Sequence, residues 1–214
     1  MLLFKTLPAV ITQISDGNMA YHAGDTTLTS QNRQAIMQAL NIKELQFPNQ
    51  IHSSIVQNAN SGSRICDGDA LISNDKNIAV GVVVADCVPI VFFDPVQNVV
   101  AAVHAGWRGT AGNIAVKTIL KMQEDFGSKA QDIFAGIGPS IKGCCYEVGA
   151  EVAKEFGLTP IKQKIDLQCI NREKLILAGV KSIEVLEFCT ACDERFFSYR
   201  KDTECGRFAA VIWL

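Results

Sequence analysis

Uninterrupted apolar runs separated by short polar turns dominate the first half of this chain and predict buried β-strands. A strand that is covered on both faces has no solvent side, so its sequence loses the alternation of apolar and polar residues. Asp94 and Pro95 supply the turn between two of these runs. The runs predict strands over 10–14, 70–72, 78–85, 88–93 and 99–104, and later strands over 133–137, 183–186 and 208–213.

Apolar residues recur at helical spacing after position 110. The residues that share one helical face are Ala115, Ile119, Met122 and Phe126. This spacing predicts a helix over 111–126, capped at its start by Thr110 and ended by Gly127. Two shorter helices are predicted over 150–156 and 167–178.

Strands and helices follow one another along the chain without strict alternation. This order favours an α/β fold of α+β character, with layered mixed β-sheets flanked by helices, over a regular parallel barrel. No internal repeat, low-complexity tract or flexible linker divides the sequence. We therefore predict a single domain over residues 1–214.

Composition and charge narrow the classes of function. The 214 residues are 48% hydrophobic and 20% charged, which is typical of a globular protein with a substantial core. A net charge of -2 without a lysine or arginine block gives no case for nucleic-acid binding. The longest apolar run, 78–93, is interrupted by Asp86 and Pro89 and is too short to span a membrane. With no export signal at the N-terminus, we expect the eight cysteines to be free thiols in the cytoplasm.

A cysteine and a histidine stand where buried strands end. Cys87 lies just beyond one apolar run, and His104 closes another. Thiolate and imidazole are preferred zinc ligands, and three protein ligands plus a water make a catalytic zinc site. The third ligand would be His52 or, alternatively, His22. Spacing alone leaves two other interpretations open, namely a Cys–His nucleophile pair and a buried thiol beside a structural histidine.

Arg108 lies in a glycine-containing loop at the expected start of the long helix. The free N–H groups of a helix start and a forked guanidinium both suit a phosphate or a carboxylate. Gly106 and Gly109 would let a ligand approach the backbone closely. We therefore predict an anion site at Arg108, Gly109 and Thr110, with Arg200 as a second arginine. A surface salt bridge is the alternative role for Arg108.

Four other cysteines fall in two short motifs. Cys144 and Cys145 lie in a glycine-rich loop, and adjacent cysteines are poorly arranged to chelate one metal ion. Cys189 and Cys192 have the C-x-x-C spacing, but the sequence has no second such pair to complete a zinc ribbon, so we interpret them as structural. The segment 196–201 mixes aromatic and basic residues and is either a wall for a planar ligand or a half-buried strand.

Together these motifs resemble the YfiH/YlmD family, also called the laccase-domain or multicopper polyphenol oxidase-like family. The resemblance covers nearly the whole chain, and the run His-Ala-Gly-Trp-Arg-Gly-Thr at 104–110 is highly specific. The matching segments are 49–52, 67–71, 85–89, 103–110, 137–139, 144–149 and 196–200.

The resemblance implies a single layered α/β domain and a zinc ion held by His52, Cys87 and His104. It also implies activity on purine nucleosides, namely phosphorolysis of adenosine, inosine, guanosine and methylthioadenosine, and deamination of adenosine. Copper-dependent phenol oxidation and peptidoglycan editing are attributed to relatives. This chain departs from the family at Ser53, where glycine is usual, and in a shortened segment over 17–25.

The leading hypothesis is a zinc-dependent enzyme that acts on a small-molecule nucleoside and phosphate, with Cys87, His104 and Arg108 in catalysis. Zinc with an open position can activate water for attack at C6 of adenine, whereas phosphorolysis needs phosphate placed near C1′ of the ribose.

One alternative is a copper oxidase, although three histidines are too few for a multicopper set. A second is a cysteine hydrolase in which His104 activates Cys87 against an amide of a cell-wall precursor. The third, a structural zinc protein, would normally need four protein ligands.

Overall fold

Two mixed β-sheets lie face to face in the computed structural model, which describes residues 1–62, 64 and 66–214. The strands are β1 (Leu2–Leu3), β2 (Ala9–Ile11), β3 (Glu44–Gln46), β4 (Val56–Asn58), β5 (Ala70–Ser73), β6 (Ile78–Val84), β7 (Val88–Asp94), β8 (Val99–Ala105), β9 (Phe134–Ile137), β10 (Glu147–Val148), β11 (Gln163–Lys164), β12 (Ser182–Val185) and β13 (Phe208–Trp213). The α-helices are α1 (Thr26–Ala39), α2 (Trp107–Ala111), α3 (Ile114–Phe126), α4 (Ala150–Glu155) and α5 (Leu167–Leu177). Among the described residues, no helix combines the length and the apolar character that a membrane crossing requires.

The pairing of the strands gives both sheets a mixed topology. The first sheet has five strands in the order β1-β2-β13-β6-β3, and the second has six in the order β12-β9-β7-β8-β5-β4. Strand β3 is parallel to β6, β4 to β5 and β12 to β9, while the other pairs are antiparallel. A separate ribbon pairs β10 with β11. The predicted class, layered mixed sheets flanked by helices, is confirmed.

Burial on both faces explains the uninterrupted apolar runs of the central strands. In β6, Val82 packs between the two sheets, while its neighbour Val83 packs on the outer side with residues of α1. In β7, Val91 packs between the sheets, while Ile90 and Phe92 pack against α3 and α5. The chain therefore forms four layers, in the order α1, first sheet, second sheet, and α3 with α5.

The predicted long helix is divided in the structure. Helix α2 begins directly after Gly106, and Gly112 and the left-handed Asn113 (φ 60°) separate it from α3. The prediction that Thr110 caps the helix was therefore wrong, because Thr110 is buried inside α2. Its hydroxyl accepts a 2.9 Å hydrogen bond from the side chain of Asn171 instead.

The other predicted elements lie within one residue of their expected bounds, apart from the strand over 10–14, which ends at Ile11. Gly127 ends α3 in the left-handed conformation, as predicted.

The second sheet brings polar residues to one edge. Cys87 enters β7 from the short turn after β6, and His104 lies opposite Pro89 near the end of β8. Asp69 directly precedes β5, which pairs antiparallel with β8. Residues from three distant parts of the sequence therefore meet where these strands begin and end.

We expect Phe92→Ala to lower the free energy of unfolding by about 3–5 kcal/mol, because it removes a fully buried ring from the layer beneath α3. The matched control is Leu177→Ala at a side chain that is 87% exposed, where the change should stay within about 0.5 kcal/mol. Urea unfolding measures both values. Equal losses in the two variants would contradict the assignment of Phe92 to the core.

Candidate metal centre

Two histidines and one cysteine converge at this edge of the second sheet. The candidate ligand atoms of His52, Cys87 and His104 all lie within 4.8 Å of one another. The rings of His52 and His104 stand nearly perpendicular, with centroids 4.9 Å apart. His104 is buried and Cys87 partly buried, while His52 is exposed on a loop and has a left-handed backbone (φ 57°). The alternative ligand His22 lies outside this group of three.

The carboxylate of Asp69 fixes the two histidines of the cluster. The Nδ1 of His104 donates to Asp69 Oδ1 over 2.8 Å, which leaves Nε2 as the ring nitrogen available for a metal ion. The same Oδ1 accepts the backbone N–H of His52 at 3.1 Å. The backbone N–H of His104 in turn donates to the carbonyl of Asp69 at 2.7 Å. One buried aspartate therefore sets both the ring of His104 and the loop of His52.

Ser53 extends this arrangement to the second oxygen of the Asp69 carboxylate. Its N–H and its hydroxyl donate to Asp69 Oδ2 at 2.5 Å and 2.7 Å. The serine oxygen also accepts the N–H of Ile55 at 3.1 Å. Burial alone would raise the pKa of Asp69, but the hydrogen bonds from His104 and Ser53 hold that pKa below its ordinary value. The aspartate therefore remains an ionised acceptor.

Cys87 and His104 stabilise each other in their charged forms. Burial alone would raise the pKa of Cys87, but the positive charge and hydrogen bond of His104, and then His52, lower the pKa to about 6. Burial would lower the pKa of His104, yet the Cys87 thiolate and Asp69 raise that pKa to about 9. A metal ion would replace the proton on His104, since a ligating imidazole nitrogen must be unprotonated.

The space beside the three ligands fits a metal ion. A Cβ atom on Gly106 would lie 3.1 Å from Cys87 Sγ, 3.6 Å from His52 Cδ2 and 3.8 Å from His104 Cε1. A side chain at this position would therefore occupy the centre of the site, and glycine leaves it open. One thiolate and two imidazoles suit zinc or copper, and three protein ligands leave a coordination position for a small molecule.

A cavity of about 620 Å³ opens beside the cluster, and His52, Cys87 and His104 all contribute to its wall. Tyr199 and Arg207 also line this cavity, with the Arg207 guanidinium 5.4 Å from the centre of the Tyr199 ring. The volume is within the range of small-molecule sites. Tyr199 belongs to the segment 196–201 that was interpreted as a possible ligand wall, and it lines the cavity.

The sequence did not point to Arg207 or to Gln50, which also lines the cavity. Gln50 is held in place by Val83, whose carbonyl accepts the Gln50 amide at 2.9 Å and whose N–H donates to it at 2.8 Å. His22 is the third histidine of the chain and lies on the cavity wall. Gln50 lies two residues before His52 in the sequence, whereas His22 and Arg207 are far from all three cluster residues and only the fold brings them to the cavity.

The predicted anion-binding residues divide into two groups. The side chains of Arg108 and Arg200 are exposed, and Arg108 stacks 4.2 Å over the ring of Trp107. Thr110 is buried, and a Cβ atom on Gly109 would lie 3.0 Å from the carbonyl of Ser53. Glycine at position 109 therefore allows the backbone of α2 to pack closely against the backbone at Ser53.

Tyr146 lies among the two arginines and Cys87. Burial and the charge of Cys87 raise the pKa of Tyr146 to about 12, while the charges of Arg200 and Arg108 act in the opposite direction. Arg200 stacks 5.3 Å from the centre of the Tyr146 ring and donates to the carbonyls of Cys145 and Glu147 at 3.1 Å each. Arg200 therefore lies against Tyr146, and neither arginine is among the residues described on the cavity wall.

This fold and this cluster define a layered α/β protein with three candidate metal ligands beside a cavity of small-molecule size. The chain belongs to the family described as multi-copper polyphenol oxidoreductase laccase, whose family model matches residues 9–214. The resemblance drawn from the motifs is therefore confirmed.

Relatives of known name and structure align over most of the chain. A protein of Clostridium acetobutylicum named purine nucleoside phosphorylase is 41% identical over 183 residues, which are 80% of this chain and 78% of the relative. A protein of the same name from Aquifex aeolicus is 40% identical, and the match covers 79% of this chain and 82% of the Aquifex protein.

Two solved structures have the same fold. The crystal structure of YfiH from Bacillus licheniformis has a TM-score of 0.87 and 30% identity, and the match covers 92% of this chain and 85% of the YfiH chain. The crystal structure of YlmD from Geobacillus stearothermophilus has a TM-score of 0.86 and 32% identity, and the match covers 91% of this chain and 83% of the YlmD chain.

We expect Asp69→Asn to weaken zinc binding at this centre by about 10–100-fold, because the amide no longer holds the Nδ1 proton of His104 as a carboxylate does. Competition with a chromogenic chelator measures the affinity. Glu124→Gln is the matched control, since it also converts a carboxylate to an amide but on the exposed face of α3. An unchanged affinity in Asp69→Asn would show that this aspartate does not orient the ligand.

Proposed function

We propose that this protein is a zinc-dependent purine nucleoside phosphorylase. Adenosine, inosine, guanosine and methylthioadenosine would be its substrates, and it would also deaminate adenosine. The observation that carries this proposal is the His52–Cys87–His104 cluster on the wall of a cavity of nucleoside size, in a chain whose relatives are named purine nucleoside phosphorylase. We place this activity in the cytoplasm, where the reducing environment keeps thiolate ligands intact.

The cavity offers a purine nucleoside both apolar and polar contacts. The ring of Tyr199 supplies a flat face for the base, and Arg207 beside it supplies hydrogen-bond donors. His22 is a further polar group on the wall, and burial together with the charges of Arg207 and Arg33 lowers its pKa. A neutral imidazole both donates and accepts, which suits the hydroxyls of a ribose.

Phosphorolysis forms a bond between a phosphate oxygen and C1′ of the ribose and breaks the bond from C1′ to the purine nitrogen. The phosphate needs cationic donors, and Arg108 and Arg200 would provide them on the Tyr146 side of Cys87. Gly109 and Thr110 would support this site from within the fold, since Thr110 is buried and its hydroxyl is bonded to Asn171.

Three residues of this chain would bind the metal, and a fourth would orient one of these ligands. His52, Cys87 and His104 are the ligands, and Asp69 keeps the His104 ring in its ligating orientation. When bound, zinc would supply Lewis-acid polarisation of a substrate oxygen or of water. Zinc is preferred to copper because the three-ligand set with an open position is typical of catalytic zinc.

Removal of the metal ligands should abolish phosphorolysis. With inosine and phosphate, we expect the wild-type protein to produce hypoxanthine and ribose 1-phosphate, and His104→Ala to lose at least 100-fold of this activity (about 2.7 kcal/mol). His52→Ala should lose one equivalent of bound zinc relative to the wild type, whereas His22→Ala should keep it, because His22 lies outside the ligand cluster. Chromatography of the products and elemental analysis measure both effects.

Other outcomes of the same assays separate the rival functions. Inosine cleavage that survives metal removal and Cys87→Ser would contradict the zinc mechanism. Electrophile labelling of Cys87 in metal-free but active protein would favour a cysteine hydrolase. Copper-dependent oxygen consumption with a phenol, without inosine cleavage, would favour the oxidase. Release of ammonia from adenosine tests the proposed deamination separately.

The proposed phosphate site is tested by Arg108→Gln. We expect its KM for phosphate to rise about 10–100-fold with little change in the KM for inosine, because a charged hydrogen bond to an anion contributes about 1.5–3 kcal/mol. Arg195→Gln is the control, since Arg195 is an exposed arginine that pairs with Asp193 and stacks on Phe188. An equal rise in both KM values of Arg108→Gln would contradict a dedicated phosphate role.

A further inference from the structure

Four cysteines outside the candidate metal centre form a second cluster. The Sγ atoms of Cys144, Cys145, Cys189 and Cys192 all lie within 4.8 Å of one another. The sequence has no second C-x-x-C pair, and Cys144 and Cys145 are adjacent to each other. The fold nevertheless brings these two cysteines, from a loop more than forty residues earlier, next to Cys189 and Cys192.

We propose that these four cysteines bind a structural zinc ion. Zn–S bonds of about 2.3 Å at tetrahedral angles place two sulfur atoms about 3.8 Å apart. The Sγ of Cys192 lies 3.9 Å from that of Cys144 and 3.3 Å from that of Cys145. Four thiolates without an open position are typical of structural rather than catalytic zinc. This proposal does not depend on the proposed enzymatic activity.

Two tight turns and a backbone bridge place the four sulfur atoms. In the first turn, the N–H groups of Cys145 and Tyr146 both donate to the carbonyl of Lys142, at 2.9 Å and 2.8 Å. In the second, the N–H groups of Cys192 and Asp193 both donate to the carbonyl of Cys189, at 3.0 Å and 2.9 Å. This compact turn is how a C-x-x-C pair directs both sulfur atoms at one ion.

The turns are joined directly beside the sulfur atoms. Ser140 and Cys189 form an isolated β-bridge, in which the N–H of Thr190 donates to the carbonyl of Ser140 at 3.1 Å. The two loops are thus held in register without the ion, and the sulfur cluster lies at the position where they meet.

The surroundings of the cluster compensate negative charge. Zinc with four thiolates carries a net charge of about −2, which must be balanced by donors and cations around it. The backbone N–H of Lys142 donates to Cys189 Sγ at 3.5 Å. Lys164 donates to the carbonyl of Cys144 at 2.7 Å, and Arg200 to that of Cys145 at 3.1 Å. One amide therefore donates directly to a sulfur atom, and two cations bind the backbone of the cysteines.

The zinc ion would also stabilise the loops next to the first metal centre. The hydroxyl of Thr190 donates to Asp86 Oδ1 at 2.6 Å, and the N–H of Arg200 donates to Asp86 Oδ2 at 2.7 Å. Asp86 directly precedes Cys87 and has a left-handed backbone (φ 86°). A zinc ion bound by the four cysteines would therefore restrain the residues that hold Asp86 in place.

Counting zinc in matched variants tests the second site. We expect wild-type protein, purified anaerobically from zinc-supplemented cells, to carry two zinc ions per chain. Cys192→Ser and His52→Ala should each carry one, lost from different sites. Cys169→Ser should keep both, because Cys169 is an exposed cysteine on α5 outside the two clusters.

A second measurement avoids any change to the four cysteines. His52→Ala reconstituted with cobalt in place of zinc should show the intense visible bands and the thiolate charge-transfer band of a tetrahedral four-sulfur site. This readout keeps the proposal testable if Cys192→Ser fails to fold.

Two results would overturn the proposal. The first is a single zinc ion in the wild type that His52→Ala removes and Cys192→Ser retains. The second is a titration of the denatured, metal-stripped protein that finds six free thiols rather than all eight, because the cluster would then hold a disulfide. Neither result changes the outcome of the activity assays with inosine. Failure of the four-cysteine zinc site and failure of the proposed function are therefore distinguishable.

Discussion

Asp69 is fully buried, and both histidines of the candidate metal centre depend on its carboxylate. One oxygen holds the His104 ring and the backbone of His52, and the other holds the backbone and hydroxyl of Ser53. A buried carboxylate without such partners would be protonated or would destabilise the fold. The four hydrogen bonds therefore serve stability and ligand orientation together, and loss of any one leaves a charged group less well solvated.

The doubly covered strands provide the rigid support for this centre. Because β7 and β8 are buried on both faces, the side chains at their ends have little freedom to move. Cys87 and His104 are thus held close enough to shift each other's pKa. His52 comes from a loop, and Asp69 and the Gln50–Val83 hydrogen bonds hold that loop beside them.

Loops rather than strands form the other side of the site. The Arg200 side chain donates to the carbonyls of Cys145 and of Glu147, the first residue of β10, and its backbone N–H donates to Asp86 Oδ2. The four-cysteine cluster includes Cys145. Long loops have few apolar contacts of their own, so crosslinks of this kind decide how firmly they are held.

Local sequence determined the long apolar strands, the helices over 150–155 and 167–177, and the strand-end positions of Cys87 and His104, because periodicity and burial act over neighbouring residues. The sequence offered His52 or His22 as the third ligand, and motif resemblance selected His52. Local sequence did not predict three features of the fold: the helix break at Gly112 and Asn113, the very short strands, and the order in which strands pair. A few neighbouring residues do not carry enough information to fix any of these features. The tertiary structure alone placed Asp69 and Arg207 at the site and joined Cys144 and Cys145 to Cys189 and Cys192. Such contacts link residues far apart in sequence, and only the folded backbone sets their distances.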